Sequence, residues 1–154
     1  MTPGELETYL FENIPLSRAM QVSVVSVQPE SVVLSAPLAP NVNVHETVFG
    51  GSASAVALLA AWSLLYLRMV GAGVSGHLVI QRNTMNFELP ISGSFTAHSS
   101  FVYPASWEPF VRLLRRKGMA RITMSSILVF SGQTTGRFEG EFVAVGGTMK
   151  ALNL

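Results

Sequence analysis

The sequence predicts an α+β fold in which an antiparallel sheet of about six strands wraps around one long central helix, with short N-terminal and inserted helices. Residues 50–69 are apolar on almost every side over a helical length. Six other segments are rich in Val, Ile, Phe and Thr and are separated by Pro or Gly. Apolar residues make up 49% of the 154 and charged residues 12%, a balance poorer in charge than an ordinary soluble domain and suited to surface hidden in an oligomer.

Taken in order, residues 4–13 have helical spacing, with Leu6, Tyr9 and Leu10 on one side and glutamates on the other, and Pro15 closes the helix. Residues 21–28 and 31–36 are branched segments joined by Pro29 and Glu30, which predicts a hairpin. A loop holding Pro37, Pro40, Asn41 and Asn43 leads into the helix at 50–69. Within it the uninterrupted apolar stretch is shorter than the ~20 residues of a membrane span and contains Ser54 and Ser63. A helix inside the fold, with no membrane span, is therefore expected. Strands follow at 77–89, 93–103, 121–131 and 137–145, interrupted by a helix at 106–117. In that helix Ser106 is the expected cap, Trp107, Phe110, Val111 and Leu114 face inward, cations gather near the end, and Gly118 is the stop. No repeat or linker divides the chain, so 1–154 is read as one domain. A single sheet curled over one helix leaves a face and an edge uncovered. A homodimer, extending to a dimer of dimers, is the expected cover.

Several function classes are excluded at once. The net charge of +1 gives none of the whole-protein field used to bind nucleic acid. Without cysteine there is no disulfide, thiolate metal site or cysteine nucleophile. His77 and His98 have no second ligand at a regular spacing, so no metal is expected. The start carries Glu5, Glu7 and Glu12 rather than a basic flank leading into an apolar run, which makes the cytoplasm the expected compartment. All nine acids are glutamate and none is aspartate.

The chemistry is expected in the run Asn43-Val44-His45-Glu46-Thr47-Val48-Phe49-Gly50-Gly51-Ser52. Polar side chains here precede two glycines at a helix start. Glycine lets a ligand approach the backbone closely, and the first amides of a helix lack intrahelical partners. Such a nest of donors suits an oxyanion, which points to Gly50 and Gly51.

The arrangement of Asn, six residues on to Phe-Gly-Gly, then a long apolar helix with Trp62 resembles the bacterial thioesterases of the hot-dog superfamily, including those fused behind an acetyltransferase domain. The similarity spans nearly the whole chain in element order and is most specific over residues 41–62. It implies hydrolysis of an acyl thioester, carried on coenzyme A or on an acyl carrier protein, to free acid and thiol. In the related phenylacetate-type enzymes an Asn precedes His-Gly-Gly, and an Asp on the central helix activates water. By that resemblance Asn43 matches the Asn and Gly50 the polarising amide, while Phe49 stands at the His position and Leu58 at the Asp position.

No carboxylate lies between Thr47 and Phe87, so the proton acceptor is expected from the loop. Glu46, whose ionised form a helix N-terminus favours, and His45, an imidazole suited to base work, both qualify. Adjacent in an extended loop, they would point to opposite sides. Phe49 and Ser52 are expected to touch substrate. Arg112, Arg115 and Arg116 are expected to meet coenzyme A phosphates or the acidic surface of a carrier protein. Coenzyme A or phosphopantetheine would enter only as part of the substrate, with no separate cofactor. The absent helical carboxylate leaves a non-catalytic acyl-thioester binder open. A hydratase or dehydratase of the same fold would need an acid and base set that commonly includes Asp.

Overall fold

A computed structural model describes residues 1–146. The order of elements is α1 (Pro3–Asn13), α2 (Pro15–Ala19), β1 (Ser23–Gln28), β2 (Ser31–Ala36), α3 (Gly50–Gly71), β3 (His77–Phe87), β4 (Phe95–Phe101), α4 (Trp107–Lys117), β5 (Met119–Phe130) and β6 (Gln133–Val145). Short 3-10 turns at Ala39–Asn41 and Pro104–Ser106 precede α3 and α4. The six strands form one antiparallel sheet, as the sequence predicts, in the order β1-β2-β4-β5-β6-β3.

The sheet curls because α3 has to be covered. Along its 22 residues Ala53, Val56, Ala57, Leu59, Ala60, Ala61, Leu64, Leu65 and Met69 are all buried. Four of these are alanines, which let strands approach the helix backbone closely. Side-chain hydrogen bonds then fix the fit: the buried Ser126 hydroxyl donates to the Ala57 carbonyl at 2.7 Å, and the Trp62 indole donates to the Leu78 carbonyl at 3.2 Å. Phe95, Phe138 and Phe142 fill the space between helix and sheet. At the far end Arg68 binds the Pro29 carbonyl and Glu30 and lies 4.8 Å over the Trp107 ring, tying the β1–β2 turn and α4 to α3.

The element ends differ from expectation for local reasons. Ile14, not Pro15, ends α1; Pro15 opens α2, a position that suits its fixed φ and missing N–H. The Ser106 hydroxyl does not cap α4. It donates instead to the Tyr103 carbonyl at 2.6 Å, because Ser106 closes the preceding 3-10 turn. Gly118 does stop α4, with φ of 70° and its N–H on the Leu114 carbonyl. Strand β3 contains a bulge between Ile80 and Arg82, which explains why polar residues there occupy both alternations.

Two edges result. β1 is covered in part by α1, whose Glu7 carboxylate accepts the Val24 N–H at 2.8 Å. β3 pairs with β6 alone among the described residues. Beside it the flank of α3 carries the half-buried Leu58, Trp62 and Tyr66, and Tyr66 stacks between Trp62 at 5.0 Å and Tyr9 at 4.9 Å.

A hydrogen bond to the Tyr66 hydroxyl, with burial second, pushes the Tyr9 phenol up to about 12. Because the folded value is raised, this contact stabilises the fold below the ordinary phenol pKa of ~10 and is lost as pH rises from there through about 12. An alkaline absorbance titration should therefore contain a phenol titrating near 12, and Tyr66→Phe should remove that late step.

Candidate active site

The segment before α3 is a small closed loop. Val42 and Val48 form an antiparallel bridge, and the Asn43 N–H donates to the Thr47 carbonyl at 2.8 Å. Inside the turn Asn43 Oδ1 accepts the N–H groups of His45 at 2.8 Å and Thr47 at 3.2 Å, while Nδ2 donates to the Thr47 hydroxyl at 3.0 Å. This is an Asx-type turn, in which a short polar side chain replaces a backbone partner. Glu46 sits at the bend with φ of 61°, a left-handed conformation that is costly for a residue with a Cβ. The loop is thus a bend rather than an extended stretch, and simple alternation does not set His45 and Glu46 apart.

Phe49 is the N-cap of α3 and offers no side-chain acceptor; the first helical bond is Ala53 N–H to the Phe49 carbonyl at 3.0 Å. The N–H groups of Gly50, Gly51 and Ser52 have no hydrogen-bond partner among the described residues. Three free donors and the positive end of a 22-residue helix dipole therefore meet at one point. The glycines have a packing role as well. A Cβ on Gly51 would collide with the Phe49 ring, and one on Gly50 would lie 3.4 Å from the Phe87 ring.

Beside these donors lies a cavity of about 380 Å³, walled by Val48, Gly50, Ala53, Phe87, Ile91 and Leu128, with Leu89, Pro90, Glu88 and Thr135 completing it. The Val48 N–H donates to the Ile91 carbonyl at 2.8 Å, which joins the loop to the opposite wall. Its surroundings are apolar and open: Phe49 is 57% exposed, Phe87 60% and Leu89 46%. Helix amides at the mouth of an apolar cavity can hold a negatively charged oxygen at one end of a ligand and a hydrocarbon group at the other.

Of the residues expected at the site, Gly50 lines the cavity, and Gly51, Phe49 and Ser52 stand at the helix start beside it. Asn43 is engaged within its own loop. His45 and Glu46 are exposed at the bend and do not line the cavity of this chain. Arg112, Arg115 and Arg116 are exposed on α4, and Arg115 donates to the Ala72 carbonyl at 2.9 Å, at the C-terminal end of α3. They are separated from Gly50 by the length of α3, ~33 Å at ~1.5 Å per residue.

The walls from Val48, Ala53, Ile91, Leu128 and Thr135 were missed in the sequence. Parity along β5 was the available signal, since Ala120, Ile122, Met124, Ser126 and Leu128 are the inward set. Glu88 is the one acid at the cavity wall, and its Oε1 accepts from Arg137 Nε at 2.9 Å. Arg137 lies between the buried Gly136 and Phe138, so it projects from the outer face of the sheet and draws the Glu88 carboxylate that way. Among the described residues no group of three or more His, Cys, Asp or Glu is placed to hold a metal ion.

The family model described as "putative thioesterase (yiiD_Cterm)" matches residues 4–146. The chain belongs to this thioesterase family. Its hot-dog fold, a six-stranded antiparallel sheet around a central helix, recurs in solved structures. A protein of unknown function from Chlorobaculum tepidum TLS is similar at a TM-score of 0.89 with 24% identity, covering 95% of this chain and 98% of that one. A Shewanella oneidensis protein that carries the thioesterase description has a TM-score of 0.79 and 24% identity, covering 93% and 96%. The E. coli protein from the phenylacetic acid degradation operon has a TM-score of 0.68 and 16% identity, covering 96% of each chain. Thioester hydrolysis is the general activity that goes with the thioesterase family.

Asn43→Ala removes the acceptor that closes the loop and leaves the amides of His45 and Thr47 without it. The expected loss is about 1 kcal/mol of stability, with faster hydrogen exchange confined to residues 43–47. Urea unfolding and exchange mass spectrometry would measure both, and unchanged exchange would remove Asn43 as the closure of this loop.

Proposed function

We propose that this protein hydrolyses an acyl-CoA or acyl carrier protein thioester with an apolar acyl group, and that Gly50 and Gly51 N–H groups hold the carbonyl oxygen as it gains charge. The observation that carries this reading is the set of unpartnered helix amides at the mouth of an apolar cavity. Water attacks the thioester carbon, the carbonyl electron pair moves onto oxygen beside the amides, and the tetrahedral species collapses with loss of the thiolate. The acyl chain enters the cavity between Ala53 and Leu128, while Phe49 and Ser52 contact the thioester end. Glu46 or His45 takes the proton from water, and Asn43 serves them by fixing the bend that carries both.

A second reading has its own support. The cavity wall holds a single acid, Glu88, and Arg137 already engages it. Such a site could bind an acyl thioester without hydrolysing it.

We further propose a homodimer formed by antiparallel pairing of two β3 edges. An 11-residue edge strand presents a row of main-chain donors and acceptors that a second copy can satisfy. Antiparallel pairing runs the His77 end of one β3 toward the Phe87 end of the other. His77 pairs with Val145, which pairs with Met119, so this end adjoins the end of α4 with its cations. α4 leads into β5, two strand spacings or ~10 Å from the edge. One protomer's Arg112, Arg115 and Arg116 would then serve the phosphates of a substrate seated in the other's cavity.

Gly50→Pro deletes one amide donor at the first helical position, where proline fits, and Phe49 already has the extended backbone that a following proline needs. A fall in kcat of about 10²- to 10³-fold on acyl-CoA is expected; an unchanged kcat overturns the oxyanion assignment. Made separately, His45→Ala and Glu46→Ala should single out the base by a loss of about 10²-fold or more. Tight calorimetric binding of acyl-CoA by the unaltered protein, with no thiol released, would select the binder instead.

Charge reversal at Arg115 and Arg116 should raise KM for acyl-CoA by about tenfold or more and leave acyl-pantetheine, which lacks the nucleotide phosphates, unaffected. Mixed dimers that combine this variant with Gly50→Pro should regain activity. If they do not, the shared site is wrong.

A further inference from the structure

We infer that Asn41 is the positioning residue for the oxyanion donors, an inference that rests on the hydrolytic reading of the Gly50 and Gly51 amides. Asn41 closes the 3-10 turn before the site and is 1% exposed. Its Nδ2 donates to the carbonyl of Met20 at 2.9 Å and to that of Pro37 at 2.8 Å. These carbonyls lie at the open end of the β1–β2 hairpin, one at the end of α2 and the other at the exit of β2. Its own main-chain carbonyl accepts the Phe49 N–H at 2.7 Å.

Phe49 is the cap residue of α3, and its carbonyl accepts the first helical hydrogen bond from Ala53. Asn41 therefore joins the α2 end and the β2 exit through its side chain to the α3 cap through its backbone. The peptide groups of Gly50 and Gly51 follow directly from that cap, so their aim depends on where Asn41 is held.

The side chain is not an ordinary satisfied core group. Asn41 Oδ1 is buried and has no hydrogen-bond partner. An apolar side chain of similar shape would avoid that unpaired acceptor. What asparagine adds is two N–H donors on one short arm, enough to hold two carbonyls at once. Aspartate has no such donors, and serine has one. The requirement for both donors accounts for keeping the unpaired oxygen.

The sequence places Asn41 in the same loop as Asn43, yet the two do different work. Asn43 closes a turn with residues no more than four positions away. Asn41 reaches 21 residues back to Met20 and fixes the loop to the body of the fold.

The test uses Asn41→Ala with the full chain. A displacement of catalytic donors by ~1 Å costs about 10²-fold in rate, so kcat on acyl-CoA should fall by about that factor while KM changes little. The amide resonances of Gly50 and Gly51 should move in a nitrogen–proton correlation spectrum. Leu114→Ala, a buried change on α4 at the other end of α3, is the control for loss of stability, and should leave those two resonances and kcat in place. If Asn41→Ala does not fold, Asn41→Ser retains one donor and should give intermediate shifts. Unmoved glycine resonances in whichever variant folds, or the same movement in Leu114→Ala, overturn the inference. Should the unaltered protein release no thiol, the hydrolytic reading fails, while the glycine resonances still report whether Asn41 aims those amides.

Discussion

Everything in this molecule is arranged around one helix that has no polar side to give to solvent. Because α3 is apolar all round, a flat sheet could cover only part of it, and the sheet must bend over it from β2 to β3. Small side chains at Ala53, Ala57, Ala60 and Ala61 decide how close the strands come. The ends of the helix are left for other elements to cover. Arg68, Trp107 and the start of β3 close the C-terminal end. At the N-terminal end the cover is a loop of nine residues, 41–49, and it leaves the first amides without partners. The candidate site therefore lies where the wrapping stops.

The same constraint governs the electrostatics. α3 carries no charge before Arg68 near its C-terminal end, and Leu58 stands where the resemblance to phenylacetate-type enzymes puts an acid. None of the nine glutamates is buried. Charge is confined to loops, the short helices, the outer face of the sheet and the last turns of α3. The proposed proton acceptor is on the bend that carries His45 and Glu46, in one copy or between two. Glu46 shares its left-handed backbone with Gln21 and Ser131, so that conformation marks a tight turn in each case.

Much of the fold was legible because its signals are local. The all-apolar run predicts an enclosed helix, and branched segments between turn residues give six strands in the right order along the chain. Gly118 ends α4 as its type demands. Other features depend on contacts a linear reading cannot see. The inward parity of β3 was ambiguous because the Ile80–Arg82 bulge shifts the alternation midway. Ser106 has the right type to cap a helix, but a neighbouring turn takes its hydroxyl. The cavity draws its walls from the loop, α3, the stretch after β3, β5 and β6. The loop and its glycines were visible as a candidate, whereas the roles within it were not, since Asn41 and Asn43 are alike in type and differ only in what lies within reach.

The donors at the start of α3 belong to the peptide backbone, and this bears on how such a protein can change over generations. Almost any substitution at those positions keeps the N–H groups; only proline removes one. A side chain that accepts a proton can be lost in a single replacement. Descendants of one ancestor can therefore keep the anion-holding end of the helix while exchanging, relocating or losing the residue that activates water. A backbone donor at the helix end is in this sense more durable than any side-chain proton acceptor placed beside it.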